Sequence, residues 1–142
     1  MSAHPSEIAI GLGCRKGVSG EVIASLVREA QAMLAQMGFV RQGGAVGLFT
    51  TEAKREEAGM QAAAAILGLP LTFLKPAAMK AVAGRVQTTS PRVLALFGVP
   101  SVAETAALAG AGDLSELILA RIARDHVTCA IARAPLMRGS TP

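Results

Sequence analysis

The stretch Gly11-Leu12-Gly13-Cys14-Arg15-Lys16-Gly17-Val18-Ser19 sets a thiol, two cations and three glycines between an apolar run and a helical pattern. A loop that leaves the carboxyl end of a strand and opens a helix is where open α/β sheets bind ligands. Glycines permit unusual backbone angles, and a helix start offers unpaired N–H groups to an anion. Arg15 and Lys16 add positive charge beside them. The chemistry expected here is anion binding through Gly13, Cys14, Arg15, Lys16, Gly17 and Ser19. The plain alternative is a tight turn carrying two solvated cations.

Three narrower readings fail on spacing. A dinucleotide fingerprint needs an acid about 20 residues past its glycines, and the acid after the second strand is Glu52, much too far along. A phosphate-binding P-loop needs Gly-Lys-Ser/Thr, and here Lys16 precedes Gly17. A cysteine phosphatase needs an arginine six positions beyond its nucleophile, where this chain has Gly20.

Cys14, beside cations at an expected helix entry, should have a lowered pKa and could act as a nucleophile. No histidine lies near it in sequence to serve as base, and a small buried hydrophobe is the simpler role. Cys129 falls in mid-strand and belongs to the core. His4, His126, Cys14 and Cys129 lack the paired spacing of a metal site, so no metal and no cofactor are expected. A second polar stretch, Thr50 to Gly59, follows the second strand on the same edge as the first loop. Its Thr51, Glu52 and Lys54 could hold ligand carboxylates or amides. A capped helix with acids in its first turn explains the same residues. Ser101-Val102-Ala103-Glu104 is a capping box, which by itself accounts for Ser101 and Glu104.

The elements that must position these groups follow from hydrophobic period. Glu7 to Leu12 is a short β-branched apolar run and reads as a buried strand. Val22, Ile23, Leu26, Val27, Ala30, Met33, Leu34 and Met37 mark one face of a helix, with Ser19 as N-cap, Glu21 in the first turn and Gly38 as its end. Ala45 to Phe49 is a second strand, Glu56 to Leu67 a second helix stopped by Gly68, and Leu71 to Leu74 a third strand. That alternation predicts a parallel sheet with helices packed on it. Pro76 to Val82 reads as one or two helical turns. Ser90-Pro91 opens a helix to Phe97, and Ser101 opens another to about Ala109. Glu116 to Arg124 and Val127 to Arg133 flank Asp125-His126 and predict an antiparallel hairpin. The tail from Pro135 to Pro142 reads as loose.

Composition narrows the function. A chain of 142 residues suits one domain, 51% hydrophobic and only 17% charged, which excludes intrinsic disorder. Two distant cysteines exclude a disulfide scaffold. The 14 Lys and Arg against 10 Asp and Glu leave a net charge of +4, which favours anionic partners. Nucleic acid is disfavoured because the cations are scattered and no aromatics interleave them to stack bases. No apolar tract reaches a membrane span and no signal sequence is evident, so a cytoplasmic protein is expected.

Six motifs occur in order: G-L-G-C-R-K-G at 11–17, T-x-E-x-K-x-x-E-x-G at 50–59, L-x-L-P-L-x-F at 67–73, T-S-P-R-V at 89–93, G-V-P-S-V-A-E-x-A-A-L at 98–108 and V-T-x-A-I-A-R at 127–133. The ordered set resembles the family formed by CobE and the C-terminal domain of CbiG, from cobalamin biosynthesis, over nearly the whole chain. The resemblance implies a three-layer α/β/α sandwich with a mixed, mostly parallel sheet ending in the antiparallel hairpin. It implies a place in corrin-ring construction and adds Ser101 and Glu104 to the candidate ligand-binding set of Gly13, Cys14, Arg15, Lys16, Gly17, Ser19, Thr51, Glu52 and Lys54. In the anaerobic branch CbiG opens a lactone on a cobalt-precorrin. The N-terminal portion of that enzyme has no counterpart here, so its hydrolase activity is not carried over. The function expected is binding or handing on an anionic precorrin, with other corrin-pathway enzymes as further partners. A small hydrolase or isomerase using Glu52, Lys54 or Cys14, and an accessory subunit, are the alternatives.

Overall fold

The computed structural model describes residues 7–39, 44–99 and 101–135. The five strands are β1 (Ile8–Cys14), β2 (Val46–Thr51), β3 (Leu71–Leu74), β4 (Glu116–Arg124) and β5 (Val127–Arg133). They form one mixed sheet in the order β3-β2-β1-β5-β4. β1, β2 and β3 pair in parallel, as the strand–helix alternation predicts, whereas β5 runs antiparallel to both β1 and β4. The hairpin turns at Asp125 and His126, both at positive φ (55° and 67°). Such φ values suit a two-residue turn that matches strand twist, and Asp and His tolerate them better than most side chains.

Alternation along β1 builds the two outer layers. Ile8, Ile10 and Leu12 face α1 (Gly20–Gln36) and α2 (Ala58–Leu67), joined by Leu48, Cys129 and Ile131 from neighbouring strands. Ala9, on the other face, meets α3 (Pro76–Val82) and α5 (Val102–Ala111) in a core shared with Phe49, Ala130 and Ala132. The sandwich is therefore α/β/α. α5 is buried at every position but Ala109, which its small side chains allow: the helix backbone lies directly on β1. α4 (Pro91–Phe97), capped by Ser90 Oγ on the Val93 N–H, is mostly exposed.

Several boundaries differ from those expected of the sequence. β1 continues through Gly13 and Cys14 because its partner β5 pairs with it as far as Cys14 opposite Val127. The first loop therefore shrinks to residues 15–19. β2 likewise continues through Thr50 and Thr51, both buried, and Thr50 Oγ1 donates to the Leu12 carbonyl at 2.7 Å. Thr51 Oγ1 accepts from the Ala53 N–H and starts a 3-10 turn, Glu52–Lys54. α2 opens only at Ala58, with no acid in its first turn. Met37, counted into the apolar stripe of α1, sits beyond the helix end and is exposed. No described helix is long and apolar enough to cross a membrane. The expected loose tail lies, from residue 136 on, outside the described residues.

Candidate functional site

A cleft of about 540 Å³ opens at the carboxyl end of β1, within the size range of small-molecule sites. Topology makes it. β1 ends at Cys14, β4 ends beside it through β5, and the starts of α4 and α5 close the third side. Gly13, Cys14, Arg15 and Lys16 come from the end of β1 and its loop, Lys54 from the 3-10 turn, Ser101 and Val102 from the start of α5. The insertion of β5 beside β1 brings the hairpin turn onto the same rim, where the Arg15 N–H donates to the His126 carbonyl at 3.0 Å.

Charge on the lining is one-sided. Arg15, Lys16, Lys54, Arg92 and Arg121 line the cleft, with His126 beside them, and among the described residues no Asp or Glu does. Val93, Leu96, Val102 and Val127 supply an apolar surface between the cations. The α5 N-terminus, with Ser101 Oγ accepting the Glu104 N–H at 3.3 Å, also opens here and adds partial positive charge. Cations of one sign around low-dielectric walls concentrate anions. An anion with an apolar body fits this chemistry best.

The residues expected of the sequence divide among several places. Gly13, Cys14, Arg15, Lys16, Lys54 and Ser101 line the cleft. Gly17 and Ser19 line a separate shallow groove with Glu57 and Ala62. There the Gly17 N–H already donates to Glu57 Oε1 at 3.1 Å, and Ser19 Oγ takes the Val22 N–H. The helix starts that open on the cleft are thus those of α4 and α5, not that of α1. Thr51 and Glu52 line a neighbouring groove of about 470 Å³, with Met79, Leu96 and Val99; Leu96 stands on both. Arg55, between them and α2, lies 4.9 Å over the Phe73 ring.

Cys14 behaves differently from its sequence context. It ends a strand rather than opening a helix, and burial pushes its thiol pKa up; Lys54 pulls it down and Glu57 pushes it further up. The thiol is therefore the resting form, contrary to the lowered pKa expected from adjacent cations. Cys129 is core, as expected, and burial raises its pKa to about 12.

Glu104 does not complete a capping box. Its side chain is fully buried, and its carboxylate is taken up by other donors. Oε1 accepts the Gln87 and Thr88 N–H groups at 2.7 and 2.8 Å, while Oε2 accepts Thr88 Oγ1 at 2.8 Å and the Arg121 N–H at 2.9 Å. Burial opposes its charge, but the hydrogen bonds from Arg121, Thr88 and Gln87 outweigh it and lower the pKa. Arg92 and Arg121 are cleft cations that the sequence did not single out, and His126 was weighed there only as a metal ligand and turn residue. They stand far apart in the chain: the sheet order brings Arg121 and His126 to the cleft, and the placement of α4 brings Arg92.

Known proteins resemble the chain along most of its length. A family model described as cobalamin synthesis G C-terminus matches residues 8–132. The chain is 34% identical over 131 residues to Protein CobE from Sinorhizobium sp., covering 92% of this chain and 82% of that protein. It is 28% identical over 133 residues to the cobalt-precorrin-5A hydrolase of Priestia megaterium, covering 93% of this chain but 33% of that enzyme. Among solved structures, that of CobE, a protein from the cobalamin biosynthetic pathway, superposes with a TM-score of 0.79 at 32% identity and 92% coverage of both chains. The cobalamin biosynthesis protein chiG from Agrobacterium tumefaciens gives a TM-score of 0.63 at 28% identity, covering 91% of this chain and 99% of that one.

Proposed function

Because the chain belongs to the cobalamin synthesis G C-terminus family, and so to cobalamin biosynthesis, we propose that it binds an anionic precorrin or corrinoid intermediate in the cleft and hands it on. One observation carries the reading: five cationic side chains and an apolar wall share one cleft that no described acid lines. A corrin precursor is the complementary object, a broad apolar ring edged with carboxylates. Arginine can grip a carboxylate with two parallel hydrogen bonds, and lysine serves as a point charge. The chain spans a third of the length of the Priestia hydrolase, and the hydrolysis named for that enzyme forms no part of the reading.

Hydrogenobyrinic acid titrated into the protein tests it. Wild type should bind, and ligand at 100 times its dissociation constant should stabilise the fold by about 2.7 kcal/mol, visible as a thermal shift. Replacing Arg15 and Lys16 together with Ala should weaken binding by about 1–3 kcal/mol, the range for lost charged hydrogen bonds. Both side chains are exposed, so affinity should also fall as salt rises. Absence of binding by wild type would sink the proposal; equal affinity of the double variant would remove the first loop from the site.

Cys14→Ser separates binding from covalent chemistry. A resting thiol with a raised pKa is a poor nucleophile, so the variant should keep ligand affinity and complement a deletion strain almost fully. Complementation as poor as the empty vector, from a folded variant, would instead favour an enzyme acting through Cys14.

A further inference from the structure

Two walls of the cleft come from distant parts of the chain. One is α4 with the segment before it, which contributes Arg92, Val93 and Leu96; the other is the end of β4, which contributes Arg121 and Ala123. α4 is weakly held by packing. Arg92, Leu94 and Leu96 are exposed and Val93 only half-buried. Its placement depends on what anchors its flanks: Val99, buried beyond its end, and Gln87–Thr88 before its start.

The wall formed by β4 is irregular at the matching point. Leu119 pairs with Ile131 and Ile122 with Cys129, so Ala120 and Arg121 together stand opposite the single residue Ala130. Such a bulge frees a peptide from the ladder and re-aims a side chain. Here the Arg121 N–H turns to Glu104 Oε2 while Arg121 itself lines the cleft. The other oxygen of the same carboxylate holds Gln87 and Thr88.

We propose that Glu104 is a positioning residue for ligand binding: by bonding Gln87–Thr88 and Arg121 at once, it sets the spacing at which Arg92 and Arg121 meet the ligand's carboxylates. The assignment rests on the reading of the cleft as an anionic-ligand site. The side-chain chemistry is selective. Four donors converge on two oxygens, and only an ionised carboxylate accepts on both. An amide of the same shape must turn its NH2 toward one pair of donors, releasing either the segment before α4 or the bulge.

Glu104→Gln, titrated with hydrogenobyrinic acid at low and high salt, is the test. Affinity should fall by about tenfold or more, equivalent to about 1.4 kcal/mol, and its salt dependence should become shallower as one arginine loses its place. Amide exchange should quicken at Arg121 or at Gln87 and Thr88. A purely structural residue would lower the melting temperature while leaving folded-state affinity and salt dependence at wild-type values, and that result would overturn the assignment while leaving the cleft intact. Failure of wild type to bind would overturn the cleft reading and this assignment with it. Thr88→Val, which removes one donor and spares the carboxylate, covers the case in which the amide variant does not fold: it should weaken binding measurably, and wild-type affinity would count against the proposal.

Discussion

Replacing Gly11 with alanine should destabilise the protein by about 3 kcal/mol or more, the upper end of what overpacking costs. Gly11 lies in the middle of β1 on the face covered by α5. A Cβ there would fall 1.9 Å from the Ala103 carbonyl oxygen and 2.5 Å from the Ala107 nitrogen. Both are backbone atoms of one helix, so no rotamer change relieves the contact; α5 must lift from the sheet. Lifting it would loosen Val102, Ala106 and Leu108 from Phe49, Ala130 and Ala132. It would also shift Ser101 and Val102 within the cleft. Gly17→Ala is the matched control. Its φ of +84° strains a side chain, yet nothing lies within 4 Å of the added atom, so about 1 kcal/mol is expected. Urea unfolding of the three proteins decides it, and a Gly11→Ala loss no larger than that of Gly17→Ala would mean that α5 does not sit against β1 as described.

That close approach also marks the limit of what the sequence displays. The parallel half and the hairpin were legible, because Ile8, Ile10 and Leu12 alternate and Asp125-His126 interrupts two apolar runs. The role of α5 was not. A helix half alanine, with one Val, one Leu, one Thr and one Gly beside Glu104, shows no continuous polar face, and its capping box accounts locally for Ser101 and Glu104 without hinting at burial on all sides. The true partners of Glu104 stand 16 or 17 residues away on either side, at separations that no local pattern reports. The uneven alternation of Ile118 to Ile122, which also suits a helix face, is the trace that the bulge leaves in sequence. Part of the cleft lining was legible: Gly13, Cys14, Arg15 and Lys16 as neighbours in one loop motif, Lys54 and Ser101 from two further motifs. Arg121 and His126 join them through the strand order and Arg92 through α4, and Gly17 and Ser19 leave because α2 closes over the start of α1. Cys14 was misplaced for a simple reason: pairing with β5 extends β1 by two residues past Leu12, through a glycine that suggested a turn.

Acid should expose the energetic weight of Glu104. Its pKa in the fold is lowered, since the four hydrogen bonds favour the ionised form more than burial opposes it. The unfolded chain therefore takes up its proton first as pH falls. Stability contributed by this group is complete above the unfolded carboxylate value and is lost as pH falls through the lower folded value. Unfolding midpoints in urea should drop steeply over that window. Glu104→Ala should show a much shallower drop there, because it lacks the titrating group, and a lower midpoint at neutral pH. The neutral-pH loss should be about 3–4 kcal/mol, since stranding buried donors costs about 1–3 kcal/mol each but relaxation and entering water recover part of the sum. The charge pairs at the surface give a useful contrast. Arg133 with Glu116 is a surface pair, and such pairs contribute about 0–1 kcal/mol, so Glu116→Gln should change the neutral-pH midpoint little. Parallel acid profiles for wild type and Glu104→Ala would show that the carboxylate does not carry the pH dependence. Convergence of the two at low pH, with separation at neutral pH, would identify one buried carboxylate as the tie between the segment before α4, the helix α5 and the bulged strand.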